Sequence, residues 1–328
     1  MKKPYKKIII NVEHKEIRAA VLENGILAEY YVEREEEERK VGNVYKGKAD
    51  AVIQGIQSAF VDVGLEKNGF LYVTDVVKRN EECEIKEEEE FDLEKFKSSQ
   101  HKDINDLLKV GDEVLVQVEK DPISSKGVRL TTYVSLPGKF VVLMPLVKHR
   151  GISKKIQDPE ERKRLRDIFS HRMLRDYGCI MRTSSMGKGK RQILADMRSV
   201  IRTWELICKG MRKKTAPALL YEEKSLIARM VRDQFKEDVE ALIIDSKFQY
   251  NEIRRYLSSI FPELKDRVKL YSDSEPIFDF FDLEKEIEKI YKKTVSLKCG
   301  GYLVIEQTEA LVSIDVNTGR HKGGKDFE

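Results

Sequence analysis

Two residues late in the chain, Asp315 and Asn317 in "EALVSIDVNTGR", stand two apart in an alternating stretch. In a β-strand that spacing puts both on one face with Leu311 and Ser313, while Ala310, Val312, Ile314 and Val316 pack on the other. A carboxylate there can hold Mg2+, a hard cation that prefers oxygen, and the neighbouring amide can donate to a phosphate. Ordinary strand-end chemistry leading into the Thr318-Gly319 turn accounts for the same pair. A second pair, Arg182 and Thr183 in "GCIMRTSSMGKGK", joins a guanidinium that grips phosphate with two parallel bonds to a hydroxyl that adds a third. A surface ion pair is the other reading of Arg182. The nearby "GKGK" is no nucleotide P-loop, because Arg182 stands where that pattern needs glycine and no Ser or Thr follows Lys188. A third set, Phe60 and Phe70 with Tyr45, Lys46, Lys48 and Lys67 close in sequence, suits single-stranded nucleic acid, whose bases stack on rings while lysines hold phosphates. Both phenylalanines also fit a barrel core.

The elements that must position these residues change along the chain. "KKIIINVEHKEIRAAVLENGILAEYYVE" reads as two or three strands with an Asn24-Gly25 turn. From about Lys40 to Thr132, five short strands punctuated by glycine suit a small closed barrel of the oligonucleotide-binding kind. They are "NVYKGKADAVI", "SAFVDVG", "NGFLYV", "DEVLVQVEKD" and "VRLTTYV". The long connector before the fourth reads as a flexible, partly helical surface insertion. Beyond Lys139 come the strands "KFVVLMPL" and "YGCIMRTSS" and the helices "DPEERKRLRDIFSHRML" and "QILADMRSVIRTWELICKGM". "TAPALLY" reads as a linker. Helices and strands then alternate as in an α/β layer, ending in the helix "FDLEKEIEKIYKK" and a hairpin turning at Gly300-Gly301.

Length and charge bound the partners. A chain of 328 residues holds roughly two to four domains. The net charge of +4 hides an asymmetry. Residues 81–95 carry nine acidic side chains against two lysines, and residues 139–217 carry twenty-one Lys and Arg against seven Asp and Glu. The basic block gathers polyanions, nucleic acid first among them; a solvated charged surface is the plainer reading. Cys83, Cys179, Cys208 and Cys299 form no C-x-x-C pair, which argues against a zinc knuckle and a disulfide framework. No apolar run has the length of a signal peptide core or a membrane span, and the expected setting is the cytoplasm.

"VYKGKADAVIQGIQSAFVDVGLEKNGFLYVTDV" resembles the S1-type RNA-binding domain of the ribonuclease E/G family. "LTTYVSLPGKFVVLMP", "GISKKI", "MRTSSMGK", "SIDVNTGR" and "KGG" continue that resemblance in the family's order. It covers the whole chain except the acidic insertion. The fold it implies is α+β and multidomain: an RNase H-like subdomain split between residues 1–38 and 219–290, an S1-like barrel over 39–134 with an insertion at about 76–107, a 5′-sensor region over 135–218, and the start of a DNase I-like subdomain over 291–328. The function it implies is a Mg2+-dependent endoribonuclease of RNA processing and decay, specific for single strands and preferring 5′-monophosphorylated RNA. Asp315 then matches a magnesium ligand and catalytic residue, and Asn317 a phosphate-orienting one. Arg182 and Thr183 match the 5′-monophosphate sensor, with Val142 lending its backbone. Phe60, Phe70, Lys120 and Lys126 match the RNA-binding face; solvated turn lysines remain the plainer reading of the last two. A second magnesium-holding aspartate, the zinc-link cysteine motif and a small dimerisation domain fall beyond Glu328. The implied homo-oligomer therefore belongs to a full-length protein, and the alternative for this chain is an RNA-binding fragment without efficient cleavage.

Overall fold

The computed structural model describes residues 5–35, 39–77, 103–122, 126–147, 149–171, 173, 177–308 and 311–320. The acidic block at 81–95, with Cys83, lies outside them. The chain divides into two compact units, one of residues 1–32, 237–252 and 266–328, the other of residues 33–236 and 253–265.

The first unit starts with strands β1 (Lys6–Val12), β2 (Glu16–Glu23) and β3 (Ile26–Arg34). Asn24 and Gly25 both take positive φ, as the sequence predicts for the turn between β2 and β3. β1 alone could not complete a core. Its run Ile8-Ile9-Ile10 is fully buried because β1 lies inside a five-stranded sheet that later sequence completes.

In the second unit the barrel is built from β4 (Val44–Ile53), β5 (Ser58–Asp62), β6 (Gly69–Tyr72), β7 (Glu113–Lys120) and β8 (Arg129–Thr131), with a short helix α1 (Ile104–Leu107) before β7. The five predicted strands close: β4 pairs β7 through Val44–Lys48 and β5 through Lys48–Ile53. The two pairings meet at Lys48; beside it, at Gly47, a Cβ would meet a Val61 methyl at 2.4 Å. Ala59, Val61, Leu71, Val116 and Leu130 fill the interior. The edges of the insertion join them, since Val76 and Ile104 lie in the same core and Ile104 N donates to Gln57 Oε1 at 3.0 Å.

A four-stranded sheet follows as β9 (Leu136–Pro137), β10 (Val141–Met144), β11 (Arg150–Ile152) and β12 (Gly178–Met181), ordered β11-β12-β10-β9. Helix α2 (Pro159–Phe169) and the 24-residue helix α3 (Lys190–Lys213) accompany them. α3 buries Ile193, Met197, Val200, Ile201, Trp204 and Ile207, the helical stripe its sequence predicts. The "TAPALLY" segment is no linker. Its Ala218–Tyr221 forms β13, which pairs antiparallel with β4 and adds a sixth strand beside the barrel. Helix α4 (Leu226–Asp233) ends that stretch.

The remaining elements are β14 (Val239–Ile244), α5 (Lys247–Ile260), β15 (Val268–Leu270), α6 (Ile277–Phe280), α7 (Leu283–Ile290), β16 (Thr294–Ser296), β17 (Tyr302–Gln307) and β18 (Val312–Asn317). β14 and β15 complete the first unit's sheet in the order β15-β14-β1-β2-β3, with β1 and β14 parallel. Ile9, Leu22, Ile277, Phe278 and Ile287 pack over it. β16, β17 and β18 form a separate three-stranded antiparallel sheet.

One buried cluster fixes this four-stranded sheet to its helices. The Asp196 carboxylate accepts from the backbone N–H groups of Lys139, Phe140 and Val141 at 3.0, 2.8 and 3.2 Å. Burial pushes its carboxyl up, against those three bonds. Gly138 sits so close that a Cβ would lie 2.5 Å from Asp196 Oδ2. The Lys139 ammonium donates to Val231 O at 3.0 Å and Phe235 O at 2.6 Å, and it lies 5.2 Å from the Phe261 ring centre. Desolvation lowers this lysine to about 7.

Two outcomes follow from that cluster. Gly138→Ala, facing a carboxylate that cannot retreat, loses about 2 kcal/mol or more of stability by urea denaturation. Gly55→Ala, with open space around it, changes stability by less than about 0.5 kcal/mol. Between pH 7 and the ordinary lysine value of 10.5 the unfolded chain holds a proton that folded Lys139 lacks. Stability therefore rises with pH across that window, with a slope approaching ~1.4 kcal/mol per pH unit, and is unaffected by this group below it. Tyr221 and Tyr256, pushed up to about 12 by burial, act only at higher pH. Comparing urea midpoints at pH 7 and pH 9, Lys139→Met loses most of the rise; an unchanged slope would show that the lysine stays charged throughout.

Candidate functional site

Three groups of predicted residues are placed by these elements. On the barrel, period-2 alternation turns Ala59, Val61 and Leu71 inward and their neighbours outward. Phe60 and Phe70 sit directly opposite each other on β5 and β6, half-buried, with ring centres 5.8 Å apart and planes at 69°. They are outside the barrel core, so the choice left open by the pattern falls to the outer face. The same register row continues to Arg129 on β8 and Lys120 on β7. Arg129 is held by Asp75 at 3.0 Å and Glu119 at 3.0 Å. Lys120, Lys126, Lys48 and Lys67 are exposed. Tyr45 and Lys46 do not join this face. Tyr45 is in the core, and Lys46 is buried, its ammonium bonded to Glu113 at 2.7 Å and Lys214 O at 2.9 Å. The reason is that β4 at this point is paired on both edges, Lys46 lying opposite Ala218 and Leu115.

Arg182 and Thr183 follow directly on β12. Arg182 N donates to Phe140 O at 2.7 Å, so the residue leaves its strand still tied to the start of β10. Its Nη1 donates to Gly138 O at 2.7 Å and to Asp233 Oδ1 at 2.6 Å. Thr183 Oγ1 lies 3.0 Å from Ser153 Oγ. Val142 is opposite Ile180 on the neighbouring strand, two residues before Arg182 in the facing sequence. The three candidates are thus gathered on or just beyond β10 and β12, the two central strands of one small sheet. Asp233 continues a charge chain through Arg232 at 2.9 Å to Glu223 at 2.8 Å. Burial alone would push the Asp233 carboxyl up, but the guanidiniums of Arg232 and Arg182 outweigh it and hold it below the usual range. Sequence reading missed Asp233, Gly138, Ser153 and Asp196. In "MVRDQF" an Arg-Asp pair looks like the solvated face of a helix, and nothing local announces a partner fifty residues away.

On β18, Asp315 and Asn317 share a face, as predicted, opposite Val304 and Tyr302 of β17. Asn317 Nδ2 donates to Asp315 Oδ2 at 2.9 Å, so the carboxylate orients the amide. The expectation that the alternate residues pack fails: Val312 and Ile314 are each 59% exposed and Val316 71%. No layer covers this side of the three-stranded sheet among the described residues. The donor set suits a hard cation, being an ionisable carboxylate oxygen beside a carboxamide. Among the described residues no group of three or more His, Cys, Asp or Glu is placed to hold a metal ion. None of the helices among the described residues is long and apolar enough to cross a membrane.

Comparison with known proteins places these features. The sequence signature of the Ribonuclease E/G family matches residues 135–328. Ribonuclease G of Escherichia coli (strain K12) is 35% identical over 321 residues, which cover 98% of this chain and 64% of that protein. Ribonuclease G of Haemophilus influenzae is 37% identical over 321 residues, with the same coverage of 98% and 64%. Ribonuclease E of Haemophilus influenzae is 33% identical over 326 residues, covering 98% of this chain and 34% of that protein. The chain therefore spans 64% of the length of these ribonuclease G relatives. With the family signature matched over more than half its length and two groups of relatives aligned over 98% of it, this chain belongs to the ribonuclease E/G family.

Proposed function

We propose that the protein is a Mg2+-dependent, single-strand-specific endoribonuclease of RNA processing and decay that favours 5′-monophosphorylated ends and works in the cytoplasm. The observation that carries this reading is the register row Phe60–Phe70–Arg129–Lys120 on the outer barrel face. It supplies stacking surface and cations side by side, the combination that single-stranded RNA requires. The names of the relatives point the same way.

In this reading the barrel of residues 39–134 is S1-like, with its insertion at about 76–107, and residues 135–218 are the 5′-sensor. Residues 1–38 and 219–290 make an RNase H-like scaffold, and residues 291–328 begin a DNase I-like subdomain. Phe60 and Phe70 stack bases, and Lys120 and Lys126 hold phosphates. The Arg182 fork takes the 5′-phosphate, aided by the Thr183 hydroxyl and the Val142 backbone. Asp315 would hold the Mg2+, which when bound stabilises charge on the phosphoryl oxygens and lowers the pKa of an attacking water. Asn317 orients the scissile phosphate through its amide, whose nitrogen carries a second hydrogen besides the one given to Asp315.

A second reading, RNA binding without efficient cleavage, draws on the lone carboxylate at β18, since one such ligand leaves most of the coordination to water. A cleavage assay in Mg2+ with a single-stranded A/U-rich oligonucleotide separates the two. Asp315→Asn abolishes cutting while binding persists; undiminished cutting removes Asp315 from the site, and binding without any cutting by the unaltered protein selects the second reading. Arg182→Lys keeps the charge but loses the planar fork. Its preference for 5′-monophosphorylated over 5′-hydroxyl substrate falls by about tenfold, with internal cutting unchanged. A preference that survives the change would place the sensor elsewhere.

A further inference from the structure

The last turns of α3 border a concavity unused by the reading above. It encloses about 470 Å3 and is lined by Tyr177, Trp204, Cys208, Lys209, Arg212 and Lys213, with Glu205 also at its rim. The spacing Trp204, Cys208, Arg212 is one helical stripe, and Glu205, Lys209, Lys213 is the stripe beside it. Trp204 is nearly buried and forms the floor; Cys208 is half-buried. Lys209, Arg212 and Lys213 are exposed and outnumber Glu205. Cations at a helix C-terminus are common because they offset the dipole. An aromatic floor and a cavity large enough for a small ligand are not explained by that.

We infer that this pocket takes one nucleotide of a single-stranded RNA, its base against the Trp204–Tyr177 wall and its phosphate on Lys209, Arg212 and Lys213. The inference rests on RNA being the protein's ligand. An aromatic floor suits a planar base, and an acidic peptide would gain nothing from it. The pocket also sits at a helix end joined to the barrel, since Lys46 of β4 donates to Lys214 O at 2.9 Å and β13 beyond it pairs with the same strand. The pocket therefore gives the RNA a hold on the second unit beyond the aromatic face and the Arg182 fork. Base–aromatic contact and phosphate–cation contact each tolerate any sequence, so the pocket contributes affinity and path rather than base choice.

The chain has a single tryptophan, Trp204, so intrinsic emission reads this pocket alone. A short oligouridylate is titrated into the protein while tryptophan emission and the anisotropy of an end-labelled copy are recorded in parallel. Emission is expected to change saturably along with anisotropy. In the Lys209→Ala, Arg212→Ala, Lys213→Ala triple variant, the emission change is lost and affinity falls on the order of tenfold. Phe60→Ala with Phe70→Ala weakens anisotropy but keeps the emission change at saturation. Rising anisotropy with constant emission overturns the pocket and leaves RNA binding intact. An emission change that survives the triple variant overturns it too. No anisotropy change at all refutes the RNA reading itself. Arg212→Glu, a single exposed change, guards against a triple variant that fails to fold and must also abolish the emission change.

Discussion

The second unit depends on one buried carboxylate. Asp196, on the inner side of α3, takes three successive backbone N–H groups from residues 139–141. Bonds to a charged acceptor are stronger than neutral ones, and a buried donor left without a partner is costly. The start of β10 consequently has one stable position against the helix. The position of Arg182 is measured from it. Phe140 O receives the backbone of Arg182, Gly138 O receives its guanidinium, and Lys139 reaches back to the last carbonyls around α4, the helix that ends in Asp233. Without Asp196 the two partners that aim Arg182 lose their common reference.

How much of this was legible depended on the range over which each signal acts. The barrel was readable because its signals are local: alternation of period two, glycine at the turns, and a strand such as β4 whose Gly47 leaves room for the Val61 side chain. The orientation of Phe60 and Phe70 was not, because alternation gives two faces without saying which is inside. Pairing settled it, with Ala59, Val61 and Leu71 taking the interior. Tyr45 and Lys46 looked like part of the nucleic-acid face and are buried, Tyr45 because it joins the barrel core and Lys46 where β13 arrives from far along the chain to pair with β4. "ALLY" is four residues behind a proline, too short to announce a strand that exists only because β4 has a free edge.

Charged residues divide in the same way. The basic block from Lys139 to Pro217 was visible as a bulk property, but its members have different fates. Lys139 is buried and neutralises easily, Arg182 is paired, and Lys209, Arg212 and Lys213 face solvent beside aromatic surface. Counting charge assigns all of them one role. Asp315 and Asn317 were legible as a pair because strand geometry alone brings them together, whereas the openness of Val312, Ile314 and Val316 reflects the absence of a covering layer among the described residues, which no local pattern encodes.

The bond between Arg182 and Asp233 sets up a competition. In the proposed function, an exposed lysine such as Lys120 neutralises an RNA phosphate and releases the cations condensed on it, a contact that weakens as salt rises. The charge on Arg182 is already balanced by a fixed carboxylate of the same chain. A phosphate taken by that guanidinium would exchange one anionic partner for another, so the end of an RNA would compete with Asp233 for its cation, whereas its body would meet lysines that face solvent.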